Sequence, residues 1–432
     1  MKIDKPINEN YAAVVTTIKN IVPLENCDNV VGTTIFGFQA IVSKDVKIGD
    51  IGIVFPAETQ LSDEYCKFNN LYRHAEKNIN TKEQGYIEDN RRVKAVKFRG
   101  QLSSCLFMSI SSLSYTKARI EQLKEGDAFD KLNSHDVCCK YVIKEISPRT
   151  NKQHKPKFFH RVEPKFMPEH FDTDNYFRNV GALNPETEII VSQKIHGTSI
   201  RIGNTQVLRK LNLFEKGLKK LGIKIQEHEF DYVYASRKVV KDINSPYAQG
   251  FYSVDCWTEE GSKLKGLIPE NYIIYGELIG WTSDGKEIQK DYTYGIPQGK
   301  AELYVYRVAI INNQGISNDL SWDQMKEFCD SIGVKMVCEL WRGKLKDFKV
   351  EDFLDKRFFE EGYRNCVWLG DNKDLVDEGV VVRVEHRTPY CLKAKSSKFL
   401  LLESSNLDKE IIGIASYNIL LSAIQTIGNQ AK

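Results

Sequence analysis

The sequence predicts an α+β chain in which a small amino-terminal β-barrel precedes a larger domain of mainly antiparallel sheets. Three observations carry this. Short β-rich runs fill the region from Tyr11 to about Ile143, a basic Pro-containing stretch without apolar periodicity covers 144–170, and strand-like and helical periodicities mix from 171 onward. At 432 residues, 41% hydrophobic and 28% charged, the chain is long enough for two or three domains with a sizeable core.

The amino-terminal runs are YAAVVTTI, VGTTIFGFQAIV, DIGIVF and RRVKAVKF, punctuated by Gly, Pro, Asp and Asn. The last of them, continued as RRVKAVKFRG, sets Arg91, Arg92, Lys94, Lys97 and Arg99 along one predicted strand with both faces partly basic. Such a strand suits backbone phosphates; equally, its charges would protect an edge strand from self-association. Residues 144–170 form the clearest domain boundary, with the linker itself placed at 151–170.

Beyond it, TEIIVSQKI, NYIIYGELIGW, ELYVYRVAII and GVVVRVEH read as strands and SWDQMKEFCDSIG as a helix. Leu211, Phe214, Leu218 and Leu221 recur at helical spacing, which predicts an amphipathic insertion with a basic outer face. The segment KEIIGIASYNILLSAIQTIGNQAK predicts a further helix that packs on the body of the protein.

Several classes are excluded by composition. MKIDKPINEN lacks an apolar core behind a basic start, and no uninterrupted run of about 18 apolar residues occurs. The expectation is a cytoplasmic protein with no membrane partner. Ten cysteines include no CxxC pair, so they read as reduced core residues rather than ligands or bridges. With 61 basic and 58 acidic residues, the net charge of +3 does not itself point to a polyanionic partner.

The chemistry lies in an ordered set of short motifs. Lys194-Ile195-His196-Gly197-Thr198 directly follows an apolar strand; then come Ser236-Arg237-Lys238, Tyr275-Gly276-Glu277-Leu278-Ile279-Gly280, Tyr304-Val305-Tyr306, Glu378-Gly379-Val380-Val381-Val382-Arg383 and Leu392-Lys393-Ala394-Lys395. Their order resembles the covalent nucleotidyltransferase superfamily of RNA ligases, DNA ligases and messenger-RNA capping enzymes. A lone KxxG arises by chance in many chains; five further elements in the right order do not.

That resemblance implies a domain plan: an OB-like nucleic-acid-binding barrel at 1–150, a linker at 151–170, a nucleotidyltransferase (ligase) domain of ATP-grasp-like antiparallel sheets at 171–400, and a helical tail at 401–432. It implies ATP and Mg2+ or Mn2+ as cofactors, with Lys194 as the nucleophile. A lysine amine attacks phosphorus only when unprotonated, and a cationic field lowers its pKa from about 10.4. Lys393, Lys395 and the metal would supply that field, and the two lysines would hold the α-phosphate. By the same resemblance Glu277 and Glu378 engage ribose and the metal's waters, Tyr306 stacks on adenine, Arg237 meets a phosphate, and Gly197 allows a tight turn. His196 takes no catalytic role and is expected to face away from the reaction. Gln193 stands where many relatives have Glu, and Ser199 where some RNA ligases carry Asn.

Only 37 residues follow Lys395, too few for the distal barrel of DNA ligases and capping enzymes. The phrase KIHGT is similar to that of the RNA ligase group typified by a bacteriophage T4 enzyme and its editing-ligase relatives, whereas a barrel ahead of the catalytic domain, with GDIGIVFPAETQLS and VKFRG, resembles the branch found in Deinococcus and Naegleria ligases. The expected activity is ATP-dependent sealing of 3'-OH and 5'-phosphate ends through lysyl-AMP, at nicks in duplexes with RNA on the 3'-OH side, by a monomer whose binding is salt-sensitive. A DNA ligase, a GTP-dependent capping guanylyltransferase and an unreactive nucleic-acid-binding relative are the alternatives.

Overall fold

The computed structural model describes residues 2–143, 161–241, 252 and 254–409. Its architecture is mixed α/β with several separate sheets. The described residues cluster into two units: one holds those up to 143 with 174–182 and 394–409, the other those of 161–173 and 183–393. Part of the predicted linker, 151–160, and most of the predicted tail lie outside the described residues; residues 397–409 are helical.

In the amino-terminal unit, β1 (Ala13–Thr17), β2 (Val30–Ile35), β3 (Phe38–Ser43) and β4 (Ile51–Pro56) arise where the apolar runs were read, and β5 (Cys105–Ser109) is a further strand. Antiparallel pairing runs β1–β4–β5 in one sheet and β2–β3 in another. The runs AVV and IVF are continuously apolar because their sheet is covered on both faces. Ala13, Val15, Ile53 and Phe55 enter one core while Val14 and Val54 enter another. Among the described residues these strands pair in separate small sheets and do not close a barrel.

The basic strand needs correcting. Arg91 and Arg99 adopt left-handed backbone (φ 57° and 48°), so only Val96–Phe98 is strand, in a short hairpin with Gln101–Ser103. Arg92 is buried rather than exposed to phosphates. It pairs with Glu58 at 3.3 Å and donates to the Ser404 carbonyl at 2.8 Å.

The second unit is built from β6 (Glu188–Lys194), β7 (Thr198–Leu208), β8 (His228–Ser236), β9 (Tyr272–Gly280), β10 (Ala301–Ile311), β11 (Glu339–Lys344), β12 (Gly379–Val384) and the first four residues of β13 (Tyr390–Lys395). They fall into two sheets, ordered β13-β12-β6-β11 and β8-β7-β9-β10 along these strands. Val207, Val233, Ile273, Tyr275 and Ala309 form a core on the second sheet. A helix at Trp322–Ile332 is fixed by a capping box between Ser321 and Gln324 and stopped by left-handed Gly333. The insertion is helical at Leu213–Lys220, but Leu213, Phe214 and Leu221 are exposed, so its apolar residues do not pack into the unit as an amphipathic reading expects.

Eight of the ten cysteines are buried and all ten are free thiols; Cys139 is exposed. Among the described residues no helix is long and apolar enough to cross a membrane.

Candidate active site

Lys194 is the last residue of β6, where the apolar strand gives way to the Ile195–Gly197 turn leading into β7. That turn carries the chain from one sheet to the other, and the cross-strand registers set what meets there. Lys194 lies opposite Gly379, next to Glu378, and Ser199 lies opposite Glu277. Lys194 Nζ thereby reaches Glu378 Oε2 at 2.9 Å, while the Gly197 N–H donates to Glu277 Oε1 at 3.2 Å. A cavity of about 370 Å³ opens beside them, lined by Lys194, Glu277, Tyr306, Arg237, Arg307 and Arg383 among others.

The glycine is required by close approach. A Cβ at Gly197 would lie 2.2 Å from the Leu278 carbonyl oxygen and 2.9 Å from Glu277 Cγ. The turn is pinned further by two side chains with no sequence signal. Tyr294 Oη accepts from the His196 N–H at 2.7 Å and donates to the His196 carbonyl at 3.1 Å; Gln289 Nε2 donates to the Gly197 carbonyl at 2.7 Å. His196 does not line the cavity, and its Nδ1 lies 3.8 Å from Glu378 Oε2.

Tyr306 owes its orientation to a break in register. Tyr275 pairs with Arg307 but Gly276 pairs with Val305, leaving Tyr306 as the extra residue of a bulge. Its ring lines the cavity, 4.9 Å from the ring of His170, and its hydroxyl bonds to Ser199 Oγ at 2.8 Å. Ser199, a departure from the family pattern, therefore fixes this ring. Burial, with the cations Arg307, Arg237 and Lys194 nearby, holds His170 well below its usual pKa and keeps it neutral.

Gln193, the other departure, is fully committed to structure. It is buried; its Nε2 donates to Asp377 Oδ1 at 2.7 Å, and its Oε1 accepts from the Val367 N–H at 3.0 Å. Asp377 also accepts from the Phe358 N–H at 2.7 Å. These bonds tie the residue before the lysine to the residue before Glu378. Burial raises Asp377 to about 6 even though both bonds favour its anion.

Arg237, at the cavity edge, is exposed and forms an ion pair with Asp172. Glu277 is raised to about 7, chiefly by burial; attraction to Lys194 opposes this, and repulsion from Glu378 adds to it. Among the described residues no three His, Cys, Asp or Glu side chains gather as a metal cage. Of the two carboxylates near Lys194, Glu277 lines the cavity and Glu378 does not; the pair suits a hard ion that keeps most of its waters.

Lys393 and Lys395 do not line the cavity. Strand alternation sets them on the same face of β13 as Cys391, which does. Lys395 Nζ lies 3.2 Å from Glu403 in the helix that follows.

The structure thus brings together a lysine at a strand end, two carboxylates and a bulged aromatic. In comparison with known proteins, residues 187–399 match the family model described as RNA ligase. No curated protein sequence matches the chain. Among solved structures, a Naegleria gruberi RNA ligase variant with AMP and Mn is 15% identical over 90% of this chain and 97% of that one, with a TM-score of 0.56. Another variant with ATP and Mn is 15% identical over 90% and 98%, with a TM-score of 0.57. A variant described as apo is 14% identical over 92% and 98%, with a TM-score of 0.58. At such identities the likeness is one of fold.

Proposed function

We propose that the protein is an ATP-dependent RNA ligase that joins a 3'-hydroxyl to a 5'-phosphate through an adenylate on Lys194. The observation that carries this is Lys194 Nζ held 2.9 Å from Glu378 beside a cavity that also presents Glu277 and Tyr306. The presence of ATP or AMP with Mn in ligases of similar fold supports the choice of nucleotide and metal class.

In the first step Lys194 Nζ, having lost a proton to solvent, forms a bond to the α-phosphorus of ATP while the bond to pyrophosphate breaks. In the second, the 5'-phosphate of the RNA displaces Lys194 and takes the AMP. In the third, the 3'-hydroxyl, losing its proton to solvent, attacks the phosphorus of that 5'-phosphate, and AMP leaves as the bond to it breaks. Tyr306 stacks on the adenine, Gly197 lets the nucleotide approach the backbone, and Arg237 holds a phosphate. Lys393 and Lys395 neutralise charge building on the α-phosphate, a role that costs little reorganisation because cations on a strand are already aligned. Glu277 and Glu378 would hold a hydrated Mg2+ or Mn2+, which when bound supplies further neutralisation of the phosphates.

In this reading the substrate is a nicked duplex with RNA on the 3'-OH side, and the amino-terminal unit is an OB-like module that grips the duplex beside the nick. The test is incubation with Mg2+ and α-labelled ATP or GTP, followed by denaturing electrophoresis and sealing assays on RNA and DNA nicks. Label from ATP that survives denaturation and is lost in Lys194→Ala is expected, with sealing of RNA-ended nicks. Label from GTP, or efficient sealing of all-DNA nicks, would overturn the reading.

A further inference from the structure

The strand bearing the two lysines runs directly into the helix at 397–409, and this helix returns the carboxylate of Glu403 to Lys395. The carboxylate oxygens lie 3.2 and 3.3 Å from Lys395 Nζ, and both side chains are largely buried, 29% and 22% exposed. The Lys395 ammonium also lies over the Phe399 ring, 5.0 Å from its centre. Its charge is thus held by two side chains of the helix, a carboxylate and an aromatic face.

The helix is in turn clasped by residues far earlier in the chain, and the clasp closes on the neighbour of Glu403. Ser404 Oγ donates to Glu58 Oε1 at 2.6 Å and accepts from the Ala95 N–H at 3.1 Å, while the Ser404 carbonyl accepts from Arg92 Nη2 at 2.8 Å. Arg92 Nη1 and Lys94 Nζ reach Asp408 at 3.3 and 3.1 Å, one turn further on. Leu400 packs with Ala57 and Ala95. Six contacts to one short helix, three of them on the backbone and side chain of Ser404, fix both the rotation of the helix and its position along its axis. Neither a solvated tail nor a simple hydrophobic dock needs that degree of definition.

We propose that Glu403 is a positioning residue that holds Lys395 in its phosphate-contacting geometry, and that Glu58, Ala95 and Arg92 set Glu403 through Ser404. This rests on the reading in which Lys395 meets the α-phosphate. The ion pair is expected to serve the transition state more than nucleotide binding, because a misplaced cation loses its value where charge develops.

The test is single-turnover labelling with α-labelled ATP in the full-length protein, comparing Glu403→Ala, Ser404→Ala, Lys395→Ala and the double variant Glu403→Ala/Lys395→Ala, with each variant's fold confirmed by thermal melting. Glu403→Ala is expected to lower the maximal rate about tenfold with the ATP concentration dependence nearly unchanged, and Ser404→Ala about threefold. In the Lys395→Ala background, followed long enough to reach its residual rate, Glu403→Ala is expected to change that rate less than twofold. Equal losses in both backgrounds, no loss, or a faster rate in Glu403→Ala would overturn the proposal while leaving the ligase reading intact. An unchanged rate in Ser404→Ala would remove the amino-terminal unit from it. Full activity in Lys395→Ala would instead overturn the assignment of Lys395 on which the proposal stands.

Discussion

At the scale of single residues, the site is defined by what its side chains are denied. Gly197 is denied a Cβ by the Leu278 carbonyl 2.2 Å from where it would stand. Gly197→Ala should therefore displace the turn after Lys194, costing about 1–3 kcal/mol of stability and about a hundredfold in labelling by ATP, measured by urea unfolding and by the rate of adenylate formation. Asp377 is denied water. Its carboxyl is raised from 3.8 to about 6, so between these values the folded chain keeps a proton that the unfolded chain has released. Stability then falls as pH rises across that window. Asp377→Asn removes this titration and should flatten the profile by about 2 kcal/mol between pH 4 and 7, read by urea unfolding at both pH values.

At the scale of elements, regular periodicity was legible and irregularity was not. The strands ending at Lys194 and beginning at Gly379, and the helix at Trp322–Ile332, announced themselves by apolar runs, a capping serine and a terminal glycine. Removing that cap in Ser321→Ala should cost about 1 kcal/mol, seen as a lower melting temperature with labelling unchanged. The bulge at Tyr306 has no such signature, because it is a mismatch between two strands and belongs to neither sequence alone. The motif marked the tyrosine; the register break turns it to the cavity. Arg92 shows the opposite failure. Its basic neighbours suggested a solvated face, yet left-handed Arg91 and Arg99 break the strand and turn Arg92 inward to Glu58 and Ser404, partners distant in sequence. Tyr294 and Gln289, which pin the turn after Lys194, lie where no periodicity exists to mark them.

At the scale of the whole molecule, the order of the motifs conveyed the domain with Lys194, while the tertiary role of the helix at 397–409 came only from the structure. Arg92 is its most consequential partner. Its side chain is fully buried, and Arg92→Ala would take from Glu58 its cation and from the Ser404 carbonyl its donor. A loss of about 3 kcal/mol is expected in urea unfolding, confined to the amino-terminal unit's transition where two transitions are seen. The distribution of thiols supplies the probe for such measurements. Cys66, Cys105 and Cys138 are buried in one unit and Cys256, Cys329, Cys338, Cys366 and Cys391 in the other. A maleimide pulse on the native chain should mark Cys139 first, and each buried thiol thereafter only as its surroundings open. The chain thus carries its own set of internal clocks, three timing one unit and five the other, readable peptide by peptide in a mass spectrometer without an introduced label site.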